Sequence, residues 1–198
     1  MEETLEQTAD RLKHFPGNVK GEVFRTHAEY IRHKEGEEGI KKIEEKMAEL
    51  GVPITFEEVK SFTWVSEGKS SLLIVAAKEV FSWTDEDVFE MGRFSPRVSF
   101  VLKIVTQFVS IDTLFKNAEK YWYNNYDFGK LEAVNYDAEK KEITIREYGI
   151  ETHPIVCGYH AGYLKGLCEF SVRSKNITVE ETACIHKGGN YHEFLIKW

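Results

Sequence analysis

Apolar positions fall at helical spacing through most of the first two-thirds of the chain. Leu5, Ala9, Leu12 and Phe15 lie on one face of a first helix, which the Pro16-Gly17-Asn18 cluster stops. A second helix is predicted from near Val19 to His33. A third, Glu37 to Leu50, is apolar at Ile40, Ile43, Met47 and Leu50 and charged elsewhere, and Gly51 with Pro53 ends it. Two later stretches, Ser70 to Phe81 and Val98 to Val109, are apolar on nearly every side and predict buried helices. Between them Thr84 and Asp87 form a capping box for a short acidic helix ending near Gly92, and Asp112 caps another through Tyr126.

From Gly129 the period changes to two. Leu131, Ala133 and Asn135, then Ile143, Ile145 and Glu147, alternate across the turn Asp137 to Lys140 as a hairpin. A helix follows with Pro154 at its first position, and a second strand pair, Asn176 to Cys184 and Tyr191 to Trp198, closes across Lys187-Gly188-Gly189-Asn190. This order predicts an α+β fold: a helical N-terminal two-thirds packed on an antiparallel sheet of about four strands with one glycine-bearing helix. The 198 residues read as a single domain, 1–127 mainly helical and 128–198 a hairpin-helix-hairpin part.

Charge narrows the function. A net charge of -7 argues against a dedicated nucleic-acid binder, which needs a basic face to neutralise phosphates. The apolar middle segments are too short to span a bilayer and carry Lys78 and Lys103, so no membrane span is expected. An acidic start with no apolar core segment predicts a cytoplasmic protein. Three cysteines make no disulfide framework and turn attention to thiol or metal chemistry.

The helix after Pro154 carries Gly158, Gly162 and Gly166 on one face, each costing roughly 1 kcal/mol against alanine. Close backbone approach to the sheet or to another helix would offset that cost. Beside them run Cys157, Ala161, Leu164 and Cys168, and beyond lie Glu181, Cys184, His186 and His192. A Cys early in a glycine-bearing helix, a strand ending in Glu-x-x-Cys and a further ligand after a glycine turn resemble the 4-vinyl-reductase-type domain, found in phenol-sensing regulators. The chain also resembles a myxobacterial paralogous family without an established function. In the phenol sensors the motif holds zinc through Cys, Glu, Cys and Cys. By position the resemblance implies zinc at Cys157, Glu181 and Cys184, with His192 in place of the last Cys. A two-residue turn at Gly188-Gly189 would send His192 to the opposite face from Cys184, which leaves His186 as the alternative fourth ligand.

The same resemblance implies an apolar pocket for a small hydrophobic, aromatic or lipid-like molecule, and Trp64, Trp83, Phe94, Phe100, Phe108, Trp122 and Tyr159 are its candidate lining. The expected role is a ligand-binding sensor that acts as a homodimer through an unidentified signalling partner. The alternatives are a homodimeric scaffold module and an enzyme using Cys157 or Cys184 as a thiol nucleophile. His27, His33, His153 and His160 raise the question of haem. Haem nitric-oxide sensors have similar length, but their Tyr-x-Ser-x-Arg signature is missing, and Phe170-Ser171-Val172-Arg173 does not supply it. On that ground the sequence argues against haem.

Overall fold

A computed structural model describes residues 3–99, 110–172, 174 and 176–198. Its described elements begin with helix α1 (Leu5–Leu12), the short strand β1 (Asn18–Lys20) and helix α2 (Gly21–Glu49). Strand β2 (Trp64–Ser66) then leads into α3 (Glu67–Val80) and α4 (Asp85–Val98), and further helices α5 (Ile111–Lys116) and α6 (Ala118–Asn125) follow. The C-terminal part runs β3 (Lys130–Asp137), β4 (Glu142–Tyr148), α7 (Ile155–Ser171), β5 (Thr178–Ala183) and β6 (His192–Lys197). The α+β architecture predicted from the periodicities is the one observed.

Several local signals act as the sequence implies. Thr84 and Asp87 form the reciprocal capping box that starts α4. The two helices expected around Gly36 are both present within α2 and meet at a kink, where Gly36 takes the non-helical φ 73° that glycine tolerates. Helix α4 continues past Gly92 to Val98, with Pro96 in its last turn. The cap before α5 is Ser110, whose side chain accepts from the Thr113 N–H, not Asp112. The pairing of β1 with β2 carried no periodic signal, since each has three residues. The apolar stretch expected as a helix to Val109, with Phe100 and Phe108, lies mostly outside the described residues.

The larger sheet is antiparallel with order β3-β4-β6-β5. Its two central strands pair Ile143 with Ile196, Ile145 with Phe194 and Glu147 with His192. All six side chains are buried on one face, so the inward row is apolar at one end and polar at the other. Helix α7 lies over this face, with Leu164 and Cys168 in the same core as Ile143, Ile145, Phe194 and Ile196. Cys168 is thus a packing residue.

The other side of α7 meets α4, and here the glycines separate. A Cβ on Gly162 would lie 1.9 Å from the Phe89 carbonyl oxygen, and one on Gly92 would lie 1.9 Å from that of Tyr159. Gly166 is similarly blocked by Arg93, whereas nothing stands within 4 Å of a Cβ on Gly158. The close approach is therefore between two helices, backbone against backbone. Arg93 and Arg97 both hydrogen-bond Glu169 across the same seam.

This geometry predicts opposite outcomes for two substitutions four residues apart. Gly162→Ala should lower stability by about 3 kcal/mol or more through overpacking against immobile backbone. Gly158→Ala should raise it by about 0.5–1 kcal/mol through helix propensity. Urea midpoints of the two variants test the assignment, and equal effects of either sign would contradict it.

Candidate metal centre

The polar end of the inward row sits beneath the first turns of α7. In the first turn of that helix Cys157 faces the sheet, and its Sγ lies 3.8 Å from Cys184 Sγ and 3.5 Å from His192 Nδ1. His192 Nδ1 in turn lies 3.2 Å from Glu181 Oε1. The donor atoms of Cys157, Glu181, Cys184 and His192 all fall within 4.8 Å of one another. His192 and Cys184 are buried, and Glu181 and Cys157 are partly exposed at the rim.

The strand chemistry that gathers these groups is specific. Glu181 and Cys184 are three residues apart, so a regular strand would point them to opposite faces. The β5–β6 register shifts between Glu181 and Ala183: Glu181 stands opposite Phe194, and Ala183 opposite Glu193. Thr182 is the extra residue of this bulge and turns outward, where its hydroxyl donates to Glu193 Oε1. Past the bulge Cys184 faces inward again, beside His192. A short 3-10 turn, Ile185–Lys187, replaces the expected two-residue turn and ends at Gly188 with φ 89°. The longer turn sets Ala183 rather than Cys184 opposite Glu193, so the parity that pointed to His186 does not hold, and His186 stands outside the four-donor set with its ring centroid 5.5 Å from that of His192.

His192 is oriented from behind. Its Nε2–H donates to the Ile150 carbonyl oxygen at 3.0 Å, which leaves Nδ1 as the nitrogen presented to the cluster. Nδ1 and the Glu181 carboxylate then face each other as two acceptors, an arrangement that requires a proton or a cation between them. Burial pushes the Cys157 thiol well above its ordinary range, and the nearby Glu181 carboxylate and Cys184 add to the shift. Burial also pushes Glu181 up, but hydrogen bonds from Cys184, His192, Cys157 and Lys187 outweigh it and hold the carboxyl below its usual value.

Ideal coordination gives a scale for these spacings. Metal–sulfur bonds of about 2.3 Å and metal–nitrogen or –oxygen bonds of about 2.05 Å at tetrahedral angles imply S–S, S–N and N–O edges of roughly 3.8, 3.6 and 3.3 Å. Three of the six edges, Cys157–Cys184, Cys157–His192 and Glu181–His192, are 3.8, 3.5 and 3.2 Å, and all six lie within 4.8 Å.

Behind the cluster lies a second buried polar group. His160 Nδ1 is 2.7 Å from Glu147 Oε2. Burial lowers the imidazole pKa, but the Glu147 carboxylate and its hydrogen bond more than reverse this and hold it above the ordinary value. Glu67, at the start of α3, accepts from the Ser71 hydroxyl at 2.8 Å, and burial raises its pKa to about 7. Sequence reasoning passed over Glu67 and Glu147. The signal for Glu147 was its inward position in the strand alternation; for Glu67 there was none.

The aromatic candidates do not gather in one place. Trp83 is buried and donates from Nε1 to Glu35, and its ring packs on Tyr30, which also meets Phe94. Trp122 stacks on Tyr126 and donates to the Phe128 carbonyl. Tyr159 is buried with its hydroxyl on Ser95. Trp64 is at the surface under the Lys20 ammonium. None of them lines either of two spaces that the described residues enclose. One is an open groove of about 460 Å³ between α5, α6 and β3, with Phe115, Leu131 and Val134 among its walls. The other adjoins the four-donor cluster and is too narrow to admit a water molecule.

No protein family's sequence profile matches the chain, and no curated protein matches it either. Solved structures do. An H-NOX (haem-nitric oxide/oxygen-binding) protein from Shewanella oneidensis, solved in its Fe(II)NO state, superposes with a TM-score of 0.68 at 15% identity, covering 90% of this chain and 98% of its own. An oxygen-binding H-NOX domain related to soluble guanylate cyclases, in its oxygen complex, gives 0.64 at 14%, with 90% and 94% covered. The chain has the H-NOX fold. The resemblance to 4-vinyl-reductase-type domains is corrected accordingly: a short Cys, Glu-x-x-Cys pattern is carried by one helix and one hairpin, whereas the H-NOX likeness spans the chain.

The cofactor expectation is corrected with it. A further structure of this fold, from work on haem redox potential and porphyrin distortion, superposes at a TM-score of 0.65 with 14% identity, covering 91% of this chain and all of its own. A missing signature is therefore no argument against haem, and the likeness gives no support to zinc. Space and a free axial donor decide whether the residues present suit a haem. His27 is a free donor: it is fully buried, neither ring nitrogen has a partner, and burial lowers its pKa to about 3. Yet Tyr159 packs edge-on at 5.2 Å, Phe24 lies at 6.2 Å, and neither enclosed space borders the imidazole. The described residues do not frame a macrocycle there. Among those residues no helix is long and apolar enough to cross a membrane.

The buried carboxyl of Glu67 gives a pH prediction. Its folded pKa of about 7 lies above the ordinary 4.5, so the folded state holds a proton that the unfolded chain releases. Stability is then fully present below pH 4.5 and falls as pH rises through about 7, by on the order of 3 kcal/mol. His160 on α7 and Ser71 on α3 are the polar groups that temper this shift. Glu67→Gln should be near neutral at pH 4.5 and stabilising at pH 8. Thermal melts across that range read the difference, and a gap between variant and parent that does not widen with pH would refute the assignment.

Proposed function

We propose that the chain is a small-molecule-sensing domain whose C-terminal half is held together by one four-coordinate divalent metal ion at Cys157, Glu181, Cys184 and His192. The observation that carries the metal is that four donors from α7, the bulged strand β5, the turn after it and β6 lie within 4.8 Å of one another, three of their spacings at tetrahedral-edge length. Two thiolates, a neutral imidazole and a carboxylate suit a borderline-soft first-row ion. With all four positions filled by protein, the ion ties helix to hairpin and leaves no site for a substrate.

The sensing role draws on the fold, which the compared proteins use in complexes with nitric oxide and oxygen. In this chain the groove between α5, α6 and β3, where Phe115, Leu131 and Val134 stand beside Asp112, Lys116, Glu119 and Glu132, is of the size that holds a small molecule.

Metal analysis of untagged protein purified without chelator should find about one equivalent of a divalent ion. Apo protein titrated with cobalt(II) should develop the visible d–d bands of a tetrahedral site and saturate at one equivalent. A hundredfold excess over Kd should add about 2.7 kcal/mol of stability. Cys184→Ser and His192→Ala should each weaken or abolish the bands, whereas Cys168→Ser should retain them. A parent protein that binds no cobalt and gains no stability would refute the metal.

A further inference from the structure

We propose that the groove between α5, α6 and β3 takes a short extended peptide of alternating apolar and basic residues, which joins the sheet as a fifth strand beside β3. The proposal rests on the reading of that groove as the ligand site and names the ligand class.

The groove has one helical wall and one wall made by a strand edge. Asp112, Phe115, Lys116 and Glu119 form the first, and the consecutive run Leu131, Glu132, Ala133 and Val134 forms the second. Successive strand residues point to opposite faces, so a space bordered by all four runs along the edge of β3 and not over one face. Strand β3 ends the sheet order, and among the described residues no backbone hydrogen bond from outside the sheet reaches it. Alternate residues of such a strand turn their N–H and C=O groups outward, where a further strand bonds them. The bulge at Val134 limits regular pairing to Lys130–Ala133, a length of about 13 Å that suits a peptide of about five residues.

The register of β3 on β4 fixes the side chains that the added strand needs. Leu131 and Ala133 stand opposite Glu147 and Ile145 on the inward face, and Leu131 packs in the same apolar cluster as Phe115. An inward side chain of the peptide therefore meets Leu131, Ala133 and Phe115, and is apolar. Glu132 stands opposite Arg146 on the outward face, and Arg146 is committed to Glu193. Among the described residues Lys130 is the ion-pair partner of both Glu119 and Glu132, one ammonium for two carboxylates, and Lys116 is paired with Asp112. That shortfall of positive charge, in a chain of net charge -7, calls for a basic outward side chain.

The full chain, labelled with nitrogen-15, is titrated with acetyl-Lys-Val-Lys-Val-Lys-amide. Amide shifts should concentrate in α5, α6 and β3, and the outward amides of Lys130–Ala133 should exchange at least about tenfold more slowly with peptide bound. Methylating the valine nitrogens or the lysine nitrogens should abolish binding in one case and spare it in the other, because only alternate residues of the peptide bond β3. Glu132→Lys, with an unchanged thermal midpoint, should weaken binding at least about tenfold at low salt. Equal behaviour of the two methylated peptides overturns strand addition, and an unchanged affinity in Glu132→Lys overturns the basic pattern. Tryptamine, a small apolar cation without a peptide bond, separates the proposal from the reading beneath it. Groove shifts from tryptamine with none from about 1 mM peptide overturn the peptide and leave a small-molecule site, whereas silence from both overturns the groove as a ligand site as well.

Discussion

Helix α7 touches α4 through bare backbone, and the remaining C-terminal architecture depends on that contact. Gly92 and Gly162 face the carbonyls of Tyr159 and Phe89 at distances no Cβ could tolerate. Any larger residue would push α7 away from α4 and toward the sheet. Since α7 also buries Leu164 and Cys168 against Ile145 and Phe194, it is fixed from both sides. The depth of the crossing sets how far the first turn of α7 stands above the end of β6. That height places Cys157 within 3.5 Å of His192.

The second constraint is the bulge at Thr182. In a regular strand Glu181 and Cys184 could not face the same ion, and His192 would share a face with only one of them. One extra residue corrects the parity locally while Val179 and Ile196 keep their pairing farther along. An unpaired strand residue weakens the ladder, and bulges concentrate where a side chain has to be re-aimed. Here the re-aimed side chain is Cys184.

Much of this was legible in the sequence and the remainder was hidden for definite reasons. The strands of the second half announce themselves by alternation, and the four donors stand out because thiols and imidazoles are few. The fourth donor was ambiguous, since strand parity is computed from a turn and the turn was misjudged: Cys184 to Gly189 coil through a 3-10 turn instead of reversing at two glycines. The three α7 glycines look alike in sequence, and only the partner helix distinguishes Gly158 from Gly162. Trp83, Trp122 and Tyr159 looked like ligand contacts because aromatic side chains serve cores and pockets equally. In place each spends its polar atom on Glu35, Phe128 or Ser95. The likeness to H-NOX structures at 14–15% identity was beyond the reach of residue patterns, because chains can share a backbone topology without sharing a sequence signature.

The inward row of the sheet shows why the polar chemistry is concentrated at one end. Ile143 with Ile196 and Ile145 with Phe194 supply the apolar floor for α7, and the next pair along is Glu147 with His192. A buried carboxylate and a buried imidazole at that level require partners or their desolvation is uncompensated. Helix α7 delivers both: His160 to Glu147, and one turn earlier Cys157 to His192. The same three-residue helical interval thus satisfies two strand residues that stand side by side. Displacement of α7 by one residue in either direction would leave both strand residues facing the wrong partners. The α4 glycine seam resists that displacement, since its interlocking carbonyls admit one register. Packing chosen for the apolar half of the molecule in this way sets the geometry of the polar half.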